Sequence, residues 1–148
     1  VSAQNRRRLY WTNINIAPIT DKQIELKDIL DVNPDYSPGA IRGRYLNKEV
    51  SITQCLEVKK TNTNKSNCLT TVSKDNVLTS MPIGRHPDVF NKKLPFRYYS
   101  VKECCRLQTV PDSYFDGVVS DSQARKMLGN GWTVDVIAHI LSGIEGEI

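Results

Sequence analysis

The 148-residue chain is 39% hydrophobic and carries a formal net charge of +4, with twenty Lys+Arg against sixteen Asp+Glu. That length suits one domain or a large piece of a bigger one, and the modest positive charge permits nucleic-acid binding without demanding it. No apolar run approaches the roughly 20 residues of a membrane span and no basic-then-apolar leader is seen, so an integral membrane protein is not expected.

The chain opens at Val1 rather than Met. It is expected to be an excised fragment or a processed chain. The run from Arg8 to Ile14 is rich in β-formers and predicts a strand ended by Pro18. On such a strand Arg6 and Arg8 share one face and Arg7 takes the other. Ile24, Leu26, Ile29 and Leu30 predict a short helix near 26–30, with Thr20 or Asp21 as cap. Asn33 to Gly43 holds two prolines and two glycines and reads as loop.

The middle differs. Short β-like runs occur at Ile41–Leu46, Gln54–Lys59 and Asn67–Val72, and Met81 to Pro95 reads as loop. From Arg42 to Lys65 six basic residues face two acidic ones, whereas Asp21 to Asp35 holds five acidic residues and two lysines. Positive charge is therefore concentrated mid-chain.

The last third turns helical. Ser100 and Glu103 have capping-box spacing and open a helix over 101–108, stopped by Pro111. Glu103 and Arg106 are three apart and are expected to pair. A second helix spans Asp121 to Leu128 and is closed by Gly129. Asn130-Gly131 makes a turn. Thr133 to Ile144 then carries a long apolar face. The four cysteines form no CxxC, and the two histidines lie far from any cysteine pair, so no structural zinc site is expected. The cysteines read as small buried hydrophobes of a reducing compartment.

Three segments carry candidate chemistry. Gln4-Asn5-Arg6-Arg7-Arg8 offers guanidiniums for bidentate contact with phosphate, carboxylate or a base carbonyl. Gly129-Asn130-Gly131-Trp132 offers backbone N–H groups, an amide and a flat aromatic ring before a helix. Ser100-Val101-Lys102-Glu103-Cys104-Cys105-Arg106-Leu107-Gln108 precedes Pro111 and reads by itself as a structural helix. In this order, Gln4-x-Arg6-x-Arg8, the Lys65–Thr71 stretch, the Ser100–Pro111 motif and Gly129-Asn130-Gly131 resemble the C-terminal part of DNA (cytosine-5) methyltransferases. The resemblance covers essentially the whole chain. Trp132-Thr133-Val134 is similar to the de novo animal enzymes and to bacterial or phage relatives.

The resemblance implies an α+β fragment. This would be the C-terminal portion of an α/β S-adenosylmethionine-dependent methyltransferase fold plus a small strand-rich target-recognition lobe. Residues 1–37 would end the catalytic Rossmann-like domain, 38–95 would recognise the target, and 96–148 would return to the catalytic domain. In that family a cysteine of a Pro-Cys motif attacks C6 of a flipped cytosine, a glutamate of Glu-Asn-Val holds N3, and methyl passes to C5. This chain has neither motif, nor a Phe-x-Gly-x-Gly cofactor loop. The fragment alone is therefore not expected to be catalytic, and a missing N-terminal half is an expected partner.

By motif position, Arg8 would contact the cytosine O2. Arg6 would bind the target phosphate or brace the glutamate loop, and Gln4 would order the entry to the strand. Asn130, Gly131 and Trp132 would border S-adenosylmethionine, with Gly131 offering backbone only. Arg42, Arg44, Lys59, Lys60, Thr61, Asn62, Asn64, Lys65 and Arg85 are the candidate contacts to double-stranded DNA. Exposed apolar surface would permit dimerisation. The expected setting is the cytoplasm of a bacterial or phage-infected cell, in a restriction–modification or phage self-protection role. A non-catalytic DNA-binding accessory or split-enzyme subunit is the alternative.

Overall fold

A computed structural model describes residues 1–32, 35–46, 51–59 and 64–144. The protein is α+β, with one five-stranded antiparallel sheet followed by three helices. The strands are β1 (Ser37–Tyr45), β2 (Ile52–Val58), β3 (Val77–Thr79), β4 (Gly84–His86) and β5 (Arg97–Tyr98). Their spatial order is β4-β2-β1-β3-β5. Register pairs Ile41 with Leu56 and Ala40 with Glu57, and Glu57 in turn with Arg85.

Strand alternation divides the side chains. Ile41, Leu56, Val58 and Val77 face one way and pack with Val89 in one buried cluster. Leu78, two strands from Glu57 on the opposite face, joins a second cluster with Leu69, Tyr99, Cys104, Cys105, Leu107 and Leu128. That opposite face is thus apolar at its β3 end and polar across β1, β2 and β4. Pro38 is tolerated in the central strand because it lies one residue beyond the last β1–β2 pair.

The helices are α1 (Val101–Leu107), α2 (Asp121–Asn130) and α3 (Val134–Leu141). Capping boxes open the first two, Ser100 with Glu103 and Ser120 with Gln123. Glu103 does not pair with Arg106, as its spacing led one to expect. It is fully buried and takes a bidentate contact from Arg97 at 2.7 Å, together with the backbone N–H of Asp31. Arg106 turns instead to Asp31 and Asp112. Arg97 already occupies both oxygens of Glu103, which leaves Arg106 to fork onto Asp112.

Several expected elements differ. No strand forms over Arg8–Ile14, and among the described residues before Ser37 there is no strand. Leu9 and Trp11 are 82% and 91% exposed, and no neighbouring strand is there to take their backbone groups. The helix near 26–30 shrinks to a 3-10 turn, Leu26–Asp28. The loop expected over 33–43 gives way to β1 from Ser37, and a short strand, β4, interrupts the loop expected over 81–95. Asn67–Val72 forms no strand; the neighbouring Ser66 makes a single parallel bridge to Gln4. Gly129 sits inside α2 rather than after it, and Gly131 caps the helix. The last helix ends at Leu141. Its C-terminal end lies beside the N-terminal segment, where His139 Nε2 meets the Ala17 carbonyl at 2.8 Å.

Candidate functional site

Four distant segments converge on one buried amide. Gln108 is 1% exposed, and its Nε2 donates to the Leu128 carbonyl at 2.5 Å. Its Oε1 accepts from Gln4 Nε2 at 3.1 Å and from Thr133 Oγ1 at 3.2 Å. Its backbone carbonyl accepts from Val134 N at 2.9 Å. One side chain thus ties the end of α1 to the end of α2, the start of α3 and the N-terminal segment. Gln4, also buried, donates to the Leu107 carbonyl at 2.5 Å and accepts from Leu69 N at 3.0 Å.

Arg6 completes the junction. Its Nη1 donates to the Leu69 carbonyl at 2.8 Å and faces Cys68 Sγ at 3.2 Å. Its Nη2 donates to the Gly131 carbonyl at 2.5 Å and reaches that of Gly129 at 3.3 Å. The last carbonyls of a helix lack intrahelical partners and carry partial negative charge, so a guanidinium there is doubly favoured. The Nε of Arg6 is buried without a partner among the described residues. Arg8 is exposed and makes no such contacts, so the two arginines play different structural parts. Gly129 explains the close docking: a Cβ there would lie 2.5 Å from Thr70 O and 2.6 Å from Thr71 N.

At the α2–α3 turn, Asn130 is exposed and Trp132 is 61% exposed. Gly131 has its N–H on the Met127 carbonyl and its own carbonyl on Arg6, so its backbone is engaged. Trp132 borders an apolar groove of about 580 Å³ that runs between α2, α3 and the 110–115 segment. No residue of α3 is buried. Its apolar face therefore meets solvent.

The polar sheet face forms a second cleft, of about 500 Å³, lined by Arg42, Arg44, Glu57 and Lys59 of the sheet and by Asn67, Cys68, Thr70 and Asp75, the last two joined at 3.1 Å. The wall at 67–70 is the segment held from behind by Gln4 and Arg6. Glu57 is buried and accepts from Arg44 Nε at 2.7 Å and Nη2 at 2.9 Å, and from Arg85 Nε at 3.1 Å. The Arg44 guanidinium outweighs burial and holds the Glu57 carboxyl below its usual range. Burial pushes the neighbouring Cys55 thiol up. Arg42 pairs with Asp75 at 2.8 Å.

The other basic candidates are dispersed. Lys65 pairs with Asp21, whose carboxyl is drawn down to about 2 by Lys65 and the N-terminal ammonium. Asn64 donates to Glu25 at 3.1 Å. Lys59 is exposed at the end of β2, while Lys60, Thr61 and Asn62 lie outside the described residues. Among the described residues no three His, Cys, Asp or Glu side chains cluster to hold a metal ion, and no helix is long and apolar enough to cross a membrane.

Sequence reasoning quoted Gln108 within its motif but gave it no role, because its partners are remote in sequence. Glu57 and Asp75 went unnoticed as anchors. Glu57 carries one visible signal, a carboxylate two residues before Lys59 within a β-like run.

Neither a comparison with curated proteins nor one with solved structures gives a match. A family model, C-5 cytosine-specific DNA methylase, matches residues 2–146. That span takes in the arginine segment, the basic sheet face and the glycine turn that Gln4, Arg6 and Gln108 draw together, and the chain belongs to the C-5 cytosine-specific DNA methylase family.

Proposed function

We propose that the chain is the C-terminal, target-recognising part of a DNA (cytosine-5) methyltransferase that transfers methyl to C5 of a flipped cytosine. The observation that carries this reading is the convergence on Gln108. The segments resembling the cytosine-contacting motif and the cofactor-side turn share one hydrogen-bonded junction. The recognition part would span about 38–95; Ile41, Leu56, Val58, Val77 and Val89 form a cluster within it, while Leu69 and Leu78 of the same span pack with the helices.

In this reading Arg8 reaches the cytosine O2, since its guanidinium is exposed. A fixed cation in a dry pocket stabilises charge developing on the attacked ring. Arg6 acts as a positioning residue, holding the turn at 129–131. S-adenosylmethionine would supply the methyl group. Asn130 and Trp132 are the open side chains at that turn, and Gly131 gives clearance. The basic cleft residues meet double-stranded DNA. The uncovered face of α3 supports a catalytic half lying against it, the part that would bring the nucleophilic cysteine.

The test is methyl transfer from labelled S-adenosylmethionine to mixed-sequence duplex DNA. This chain is assayed alone and together with the upstream half. Activity only in combination, abolished by Arg8→Ala, is expected. Transfer by the 148 residues alone would overturn the division of labour. Salt-sensitive DNA binding with no transfer in any combination would establish the accessory-subunit alternative instead.

A further inference from the structure

We infer that Arg85, aimed by Glu57, reads a guanine in the recognised DNA sequence through its two Nη groups; this rests on the function proposed above. Arg85 lies on β4, an edge strand with no strand beyond it among the described residues. Its Nε is fixed on the buried Glu57 carboxylate at 3.1 Å, and neither Nη has a partner among the described residues. A guanidinium held by Nε presents its far edge, two parallel N–H donors, away from the anchor. Guanine offers two adjacent acceptors, O6 and N7, on its major-groove edge, whereas adenine offers an acceptor beside a donor.

The neighbouring arginines differ in what they leave open. Arg44 is held at two points, through Nε and one N–H of Nη2, so its guanidinium is pinned flat against Glu57. Arg42 has one Nη on Asp75. Arg85 is held through Nε alone and is the most exposed of the three, 55% against 45% for Arg42 and 40% for Arg44. Position favours the assignment too. Glu57 lines the cleft whose opposite wall, 67–70, is clamped by Gln4 and Arg6. DNA lying along that cleft would pass from the arginine segment, where the target cytosine is held, to the β2–β4 edge.

The full-length enzyme carrying this chain is expressed in cells without cytosine methylation, and methylated sites are mapped for wild type, Arg85→Ala, Arg85→Lys and Glu57→Gln. Wild-type sites are expected to share one invariant guanine. Both Arg85 variants should lose preference at that position alone, by about 5- to 150-fold, the range for one bidentate pair. Glu57→Gln should weaken it in the same place. Arg85→Lys separates base from phosphate: a lysine keeps the charge but not the fork, so retained guanine preference overturns the inference. A wild-type motif without an invariant guanine overturns it as well. If Arg85→Ala abolishes methylation outright, the Arg85→Lys map decides. Methylation with an unchanged motif in every variant sinks this inference and leaves the proposed function standing. No methylation by wild type sinks both.

Discussion

Gln4 and Gln108 stand 104 positions apart in sequence and share a hydrogen bond of 3.1 Å between their buried side-chain amides. Gln4 spends its remaining groups on the main chain of Leu107 and Leu69, and Gln108 on the Leu128 carbonyl and the Thr133 hydroxyl. Replacing Gln108 with Leu keeps volume but leaves the Leu128 carbonyl and one N–H of the Gln4 amide without their partner. Each buried orphan costs about 1–3 kcal/mol. Gln108→Leu should therefore lower stability by about 2–5 kcal/mol, read as a lower urea midpoint. Gln4→Leu combined with it should cost less than the two single changes added, because they share a bond. Strict additivity in that cycle would show that the two amides do not act as a unit.

Gly129 is required by close approach rather than by backbone conformation. It lies in regular helix, with the Thr70–Thr71 backbone against its Cα. Gly→Ala inside a helix ordinarily gains about 1 kcal/mol. Here the added methyl meets main chain, which cannot swing aside, so Gly129→Ala should destabilise by about 1–3 kcal/mol as overpacking does. Thermal unfolding of the variant checks the sign, and a raised Tm would contradict the contact.

Local signals were legible and remote ones were not. Ser100 with Glu103, three residues on, announces α1 because a capping box is complete within one turn. Val101–Leu107 forms where its spacing predicts. The apolar spacing of 134–141 likewise yields α3. By contrast, the β-formers Leu9, Tyr10 and Trp11 make no strand, since a strand exists only where another takes its N–H and C=O groups. β4 was invisible for the converse reason: Gly84, Arg85 and His86 have weak strand preference, and pairing with Leu56, Glu57 and Val58 creates the element. At the site the motif residues could be named in order. The bonds of Arg6 to Gly131, across 125 positions, could not.

Glu103 gives a pH prediction. Burial by itself would raise its carboxyl, but Arg97 and the N–H groups of Ser100 and Asp31 hold it below the ordinary value of 4.5. A carboxyl lowered by folding adds stability that is present above 4.5 and is lost as pH falls through the folded value. Wild-type stability should therefore drop on acidification below about pH 4.5. Glu103→Gln removes one partner of a buried pair and should cost about 3 kcal/mol at pH 7. The gap between wild type and variant should narrow at pH 3. A gap unchanged between pH 7 and pH 3 would show that the charge is not what stabilises the junction.

The uncovered face of α3 makes the last prediction. Val134, Leu141 and Ile144 are 47%, 52% and 63% exposed, and Trp132 and Met127 continue the patch across the turn. Contiguous apolar surface of this kind marks a contact face. Lys is among the better helix formers, so Leu141→Lys should leave the helix intact. Its charge would have to be desolvated by any partner lying on that face. The isolated variant should sediment nearer to monomer than wild type, and the upstream half should no longer co-purify with it. Unchanged self-association together with unchanged co-purification would place the contact elsewhere. Loss of co-purification with the sedimentation unchanged would assign the face to the catalytic half alone, not to a second copy.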